Sequence, residues 1–263
     1  MREINEQSQP NPSSFIQGHP PSDVPPLKEG FQLLMGNFWA LIGPYLVLGL
    51  LGACALQSLW DIVFGTAIMM GANISLLEYK ANGTPFGFGR TISVGFSNWW
   101  NGFKINFVTG LYAGAVVLCA FMAIMPGVLM LDKQPVVGGT LLGAGSLFTL
   151  YAFYWFYCRA CLTQVCMADK GTSASVSFNK AWEMAKANQP VIRPIILTFC
   201  GLWLVALIVF VLLVFANVGL AQDIREGVGM AVLMVSPLYC IVISYQRMVL
   251  NLAYQKLRAQ AVA

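Results

Sequence analysis

Cys158-x-x-Cys161, followed by Cys166, is the densest group of chemically capable side chains in the sequence. On a single helix these positions share a face, and three thiolates there would hold a soft metal. Met122, Met125 and Met130 add thioethers elsewhere. A metal-binding CxxC, however, usually sits in a turn and recruits partner ligands. The single histidine, His19, lies far away in a proline-rich stretch. One histidine excludes a multi-histidine metal site within one chain, and a histidine base among the apolar segments. The seven cysteines are odd in number and fall mostly in apolar stretches, so a disulfide framework is not expected. The expected role of the cysteines is packing, with no metal and no cofactor. The chain has no H-E-x-x-H, G-x-S-x-G or G-x-x-x-x-G-K-[ST] pattern, and Gly87-Phe88-Gly89 is a pair of loop glycines. An enzyme would need convergent acids, but Asp61, Asp132, Asp223 and Glu226 mark short loops between apolar segments. No catalytic residue is predicted.

Arg159, Arg247 and Glu78 are ionisable groups at the ends of apolar segments. Such groups are costly near hydrocarbon unless they snorkel or pair. Three readings stay open: snorkelling to headgroups, an arginine bridge to Glu78, or a site for an anionic headgroup.

The elements that must position these residues follow from composition. The 263 residues are 57% hydrophobic and 10% charged, against about 25% charged for an ordinary soluble domain. Too few charges remain to build a water-facing exterior, so lipid must cover much of it. Six apolar spans are expected at 39–60, 62–80, 105–127, 137–160, 195–218 and 229–251, each long enough for a core of about 30 Å. Of the 15 Lys and Arg, all but Lys133 and Arg225 fall on one side of these spans. The positive-inside rule then puts both termini in the cytosol of a cell-membrane protein. Residues 1–26 hold six of the 13 prolines and read as a disordered cytosolic tail, with 27–263 as the transmembrane domain. The tail lacks the layout of a signal peptide, and the first span is expected to act as an uncleaved signal anchor.

Three amphipathic stretches lie on the basic side. Leu27, Phe31, Leu34 and Phe38 recur within 27–38, and Ile92, Phe96, Trp99, Trp100 and Phe103 form a face within 91–103. Phe178, Ala181, Trp182 and Ala185 do the same within 175–188, with Ser173, Ser175 or Ser177 as cap. The predicted fold is therefore all-α: six transmembrane helices as three hairpins, each preceded by an interfacial helix. Small matches support an internal repeat: Asn37 six residues after Phe31, Asn188 six after Trp182, Asn101 five after Phe96, and Gly83-Thr84 beside Gly171-Thr172. Gly110-x3-Gly114 and Gly139-x3-Gly143 are expected to pack helices within the bundle, the alternative being a dimer face. Pro44, Pro126 and Pro237 would kink their helices.

Two stretches carry a family resemblance: Glu78-Tyr79-Lys80-Ala81-Asn82-Gly83-Thr84-Pro85 running into Gly95-Phe96, and Met167-Ala168-Asp169-Lys170-Gly171 running into Ala181-Trp182-Glu183 and Asn188. Through them most of 27–255 resembles a group of bacterial polytopic proteins related to the integral-membrane domain of some glycerophosphodiester phosphodiesterases. The resemblance implies a bacterial cytoplasmic membrane. In that group the membrane part is not the phosphodiesterase, so no catalytic activity is implied.

The function expected is non-enzymatic: organising or assisting a membrane process through a basic, aromatic cytosolic face. Trp99, Trp100, Lys104, Arg159, Lys180, Trp182, Lys186 and Arg247 are the residues expected to engage lipid headgroups or a protein partner. A homo-oligomer is open, and nucleic acid is not expected because the cations sit beside spans. The alternative is a carrier of a small amphiphile, for which the polar mid-span residues are Asn73, Ser75, Thr109, Ser146 and Thr149.

Overall fold

Several helices in this chain stop where a glycine or an asparagine supplies the stop. The computed structural model describes residues 24–40, 42–44, 46, 61–218 and 224–260, and every regular element among them is helical. Helix α1 (Pro26–Gly36) starts with a proline in its first turn, where a missing N–H costs nothing, and ends at Asn37. A π-helical turn, Asp61–Gly65, leads into α2 (Thr66–Asn82), which ends at Gly83. Gly83 has φ 67°, the left-handed conformation that glycine adopts without a Cβ clash, and its N–H returns to the Tyr79 carbonyl. After α3 (Phe88–Ser97) comes Asn98, and α4 (Trp99–Leu131) follows at once. A short turn leads to α5 (Pro135–Ala160), then α6 (Thr163–Lys170), which ends at Gly171 with φ 55°. The remaining helices are α7 (Ala174–Ala187), α8 (Gln189–Val218) and α9 (Ile224–Gln260).

Asn37, Asn98 and Asn188 end α1, α3 and α7 in the same way. Each returns its backbone N–H to the carbonyl four residues back, and each side-chain Nδ2 donates to that same carbonyl, at 3.2, 3.0 and 2.9 Å. In the middle segment the stop is therefore Asn98, not Asn101. It also divides the stretch 91–103: Ile92 and Phe96 belong to α3, while Trp99, Trp100 and Phe103 open α4. The face of 175–188 stands as one helix, with Phe178, Ala181 and Ala185 buried. Ser173 occupies its N-cap position without a side-chain cap bond.

Four described helical segments are long and apolar enough to cross a membrane: Trp99–Leu131, Pro135–Asp169, Gln189–Asn217 and Met230–Gln260. In the first three only 11% of the most apolar window is buried by the chain itself. Side chains such as Leu118, Met122, Leu147, Leu150, Leu212 and Phe215 point outward. Apolar surface on this scale belongs against lipid, and the chain is a helical, multi-span membrane protein. The span expected at 62–80 corresponds to the π turn and α2. With 17 residues and Thr66, Asn73 and Ser75 buried, α2 is not one of the four. The span expected at 39–60 lies for the most part outside the described residues.

Burial concentrates at the other end of these helices. One core cluster joins Cys158, Cys161, Leu162 and Val165 to Ala181, Ile196 and Phe199, and to Leu250 and Tyr254 of α9. A second joins Leu34 of α1 and Leu76 of α2 to Ile243 and Met248 of α9. A third holds Met70, Ile105, Phe156 and Phe178.

Two close helix approaches fix this layout. A Cβ on Gly71 would lie 1.9 Å from the Thr91 carbonyl oxygen, and one on Gly95 would lie 2.1 Å from that of Ala67. Helices α2 and α3 therefore touch backbone to backbone, with Ser75 and Thr91 hydroxyls 3.4 Å apart beside the crossing. In the α4–α5 hairpin the contact glycines are Gly127, Gly138 and Gly145. Gly110, Gly114, Gly139 and Gly143 are exposed, and an added Cβ on any of them would meet nothing within 4 Å. Among the described residues, the packing expected of those four is thus not made. The i, i+4 spacing set them on one face of each helix, and that face is outward. Pro126 and Pro237 lie inside continuous helices, as does Pro194.

Candidate functional site

Because Asn98 stops α3, the next helix begins with two exposed or half-exposed tryptophans. Trp99 and Trp100 each stack on Phe103 at 5.4 Å between ring centroids, and Phe103 continues to Phe107 at 6.3 Å. The Lys104 ammonium lies 5.4 Å from the Trp100 ring centroid. An amphipathic ring beside a cation at the start of a lipid-facing helix matches the headgroup level of a bilayer.

A second group forms where α5 ends. The Arg159 guanidinium lies 4.6 Å from the Trp155 ring centroid and 5.6 Å from that of Trp182 on α7. The indoles meet edge to face at 5.5 Å, and Trp182 continues through Phe178 to Tyr112 of α4. Each cation–ring contact is worth about 0.5–2 kcal/mol. A cation in the last turn also faces the negative end of the α5 dipole. Lys180 and Lys186 are exposed on α7, and among the described residues neither forms an ion pair.

Arg247 belongs to neither group. It projects from α9 into the packed end, where its guanidinium donates to Gln164 Oε1 of α6 and lies 3.4 Å from the Met69 sulfur of α2. Gln164 Nε2 donates to Asn106 Oδ1 at 2.5 Å, and Asn106 Nδ2 donates to Thr66 Oγ1 at 3.1 Å. One turn further along α9, Asn251 Nδ2 donates to Asn73 Oδ1 at 2.8 Å. Gln246 donates to the Tyr157 hydroxyl and accepts from Trp203 Nε1 at 3.3 Å. Amide side chains thus join α2, α4, α5, α6, α8 and α9 through the middle of the packed end.

The carboxylates lie elsewhere. Glu78 pairs with Arg90 at 2.8 Å, so the bridge from Glu78 to Arg159 or Arg247 is not formed. The turn at Gly83 folds α3 back along α2 and brings Arg90 nearer than either. Glu29 of α1 pairs with Lys80. Asp169 accepts from Arg258 at 2.5 Å and from the Tyr254 hydroxyl at 2.8 Å. Among the described residues no carboxylate oxygen lies within 4.0 Å of a nitrogen of Arg247. Of the loop acids, Asp132 is exposed at the α4–α5 turn.

Cys158, Cys161 and Cys166 do not share one helix: Cys161 falls in the break between α5 and α6. All three are buried in the first core cluster. Of the polar residues weighed for a carrier, Ser75 bonds to Thr91, and Thr149 bonds to the Gly145 carbonyl of its own helix. Thr109 Oγ1 is buried without a partner. Asn73 lines a pocket, together with Ala72, Leu76, Ser244, Arg247, Met248 and Asn251, and the space there suits about one water molecule.

Compared with protein-family models, curated proteins and solved structures, the chain matches none. Its functional reading rests on its own side chains. Of the eight residues singled out from sequence, the structure brings Trp99, Trp100 and Lys104 together, and Arg159 with Trp182. It leaves Lys180 and Lys186 exposed on α7 and puts Arg247, partly buried, in the packed end. The residues that sequence reasoning missed are Asn106, Gln164, Gln246 and Asn251. The signal that could have found them is the isolated amide inside an apolar segment, since lipid gives such a group no partner.

Proposed function

We propose that the chain is a non-enzymatic, multi-span membrane protein whose basic, aromatic face sits at the cytosolic bilayer surface and engages anionic lipid headgroups. The observation that carries this is Arg159 held between Trp155 and Trp182, with Lys104 over Trp100 as its counterpart on α4. Indole rings that hold a cation in this way combine an apolar body with a fixed positive charge, which suits the headgroup layer. Six spans in three hairpins, each preceded by an interfacial helix, is the topology proposed with it. The matching asparagine stops at 37, 98 and 188 support a threefold repeat of that unit. Kinship with the membrane domain of some glycerophosphodiester phosphodiesterases is proposed on the two stretches Glu78–Pro85 and Met167–Gly171 with the segments they run into, each of which contains a left-handed glycine, Gly83 and Gly171.

The test replaces Lys104, Lys180 and Lys186 together by glutamate and measures anionic lipid that co-purifies from a mixed membrane. Fewer anionic lipids per protein, with unchanged neutral lipid, is the expected result. An unchanged ratio would remove the lipid-engaging face.

A carrier of a small amphiphile is the second reading. The buried amides around Arg247 favour it, whereas the one-water size of the pocket favours the first.

A further inference from the structure

Among the described residues, the packed end holds a partly buried charge without a counter-charge and several polar atoms without partners. Asn73 and Asn251 are 0% and 1% exposed, and they spend one hydrogen bond on each other. That bond leaves Asn73 Nδ2 and Asn251 Oδ1 unpartnered, and Arg247 Nε beside them is buried and unpartnered too. All three side chains line the same pocket. A buried donor left without an acceptor is costly, more so when charged, and a positive charge in a spanning helix normally has a partner. The two orphan donors and the guanidinium ask for the same thing: an oxygen acceptor carrying negative charge. One orphan acceptor, Asn251 Oδ1, can accept a hydrogen bond from a hydroxyl or a protonated oxygen.

We infer that Arg247, Asn73 and Asn251 form a binding site for a phosphate group, which inserts one oxygen into the pocket between α2 and α9. The present pocket is large enough for that oxygen and no more, so the rest of the group lies toward the partly exposed side of Arg247. Gln164 holds the guanidinium from the far side through a bond to its terminal nitrogen, and Asn106 and Thr66 in turn hold Gln164. This fixes the fork of the arginine while its Nε stays free for the ligand. The phosphate can come from a lipid headgroup or from free phosphate. The proposal deepens the headgroup reading above by naming a ligand group and an interior site, and it can fail separately, because none of its residues belongs to the surface clusters.

The test uses the full chain and three variants: Arg247→Gln, Asn73→Asp, and the surface triple variant K104E/K180E/K186E. Asn73→Asp keeps the oxygen that Asn251 donates to and puts a carboxylate in the pocket beside Arg247, which excludes an anion without emptying the site. In one arm each protein is exchanged into phosphatidylglycerol-containing nanodiscs, released, and its tightly retained lipid counted by native mass spectrometry. In the other, thermal stability in neutral detergent is compared with and without inorganic phosphate at constant ionic strength. At least tenfold lower phosphatidylglycerol occupancy in both pocket variants, with occupancy kept in the triple variant, supports a lipid phosphate. A phosphate-dependent rise in melting temperature seen only with intact Arg247 and Asn73 supports free phosphate. Equal lipid retention and equal phosphate response in all four proteins overturns the site and leaves a water in the pocket. Loss of the retained lipid in the triple variant alone overturns it as well, by moving the lipid to the surface clusters. If Arg247→Gln fails to fold, Asn73→Asp decides between these outcomes.

Discussion

The α2–α3 crossing gives a prediction that can be worked from geometry alone. Replacing Gly71 by alanine adds one methyl carbon, which would stand 1.9 Å from the Thr91 carbonyl oxygen and 3.0 Å from the Gly95 nitrogen. Both are backbone atoms, so no side chain can swing away and the helices must separate. Overpacking of this kind costs about 1–3 kcal/mol, and a backbone-to-backbone clash belongs at the top of that range. Alanine also favours the helix over glycine by about 1 kcal/mol. The net expectation is a loss of about 2 kcal/mol, roughly a thirtyfold change in the folding equilibrium. For a chain of this size that corresponds to a fall of about 4–8 °C in melting temperature. The control is Gly110→Ala, where the added carbon meets nothing and only the helical gain remains. Intrinsic tryptophan fluorescence during heating in detergent would follow both variants, and Gly95→Ala should behave like Gly71→Ala. If Gly71→Ala melted at or above the temperature of Gly110→Ala, the close crossing of α2 and α3 would be wrong. The position that α2 gives to Met69 and Asn73 would then fail with it.

Two further expectations concern topology and the α6–α9 contact. Single cysteines at Ser13, Lys133, Lys170, Arg225 and Gln260, in a background lacking the native seven, should react with an impermeant maleimide in intact cells only at 133 and 225. Reaction of 13 or 170 from outside would refute the cytosolic placement of the basic face. Asp169→Asn should destabilise by about 2–3 kcal/mol, less than a fully buried pair because Arg258 reaches solvent. Tyr254→Phe, which removes one hydrogen bond to the same carboxylate, should cost about 1 kcal/mol. Denaturation of the two variants in detergent would check the order, and equal losses would contradict it.

The long helices were legible because an apolar stretch that must cross about 30 Å has little freedom in length or composition. The face of α7 was legible for a related reason, since Phe178, Ala181 and Ala185 keep the helical period over one unbroken element. The break at Asn98 was hidden by that same regularity: Trp99, Trp100 and Phe103 continue the spacing of Ile92 and Phe96 across it. Glycine spacing failed differently. It says which residues share a side of a helix, and whether that side is covered is a tertiary fact; hence Gly71 and Gly95 pack while Gly110 and Gly114 do not. Arg247 was visible as a costly charge, but its surroundings were not. The amides around it come from positions 73, 106, 164 and 251, and nothing local relates them.

Helix α9 has a consequence for synthesis. Its buried half contributes to the core on both flanks, and its bonds reach far back: the Tyr245 hydroxyl donates to the Leu27 carbonyl, 218 residues earlier, and Asn251 to Asn73, 178 residues earlier. A ribosome adding about 5–20 residues per second makes that first interval about 10–45 s. Throughout it, Leu34 of α1 and Leu76 of α2 lack the helix that later covers them. The apolar side of α1 that carries Leu34 is thus left without its cover until α9 exists. Closure of this part of the core therefore waits until α9 has been made.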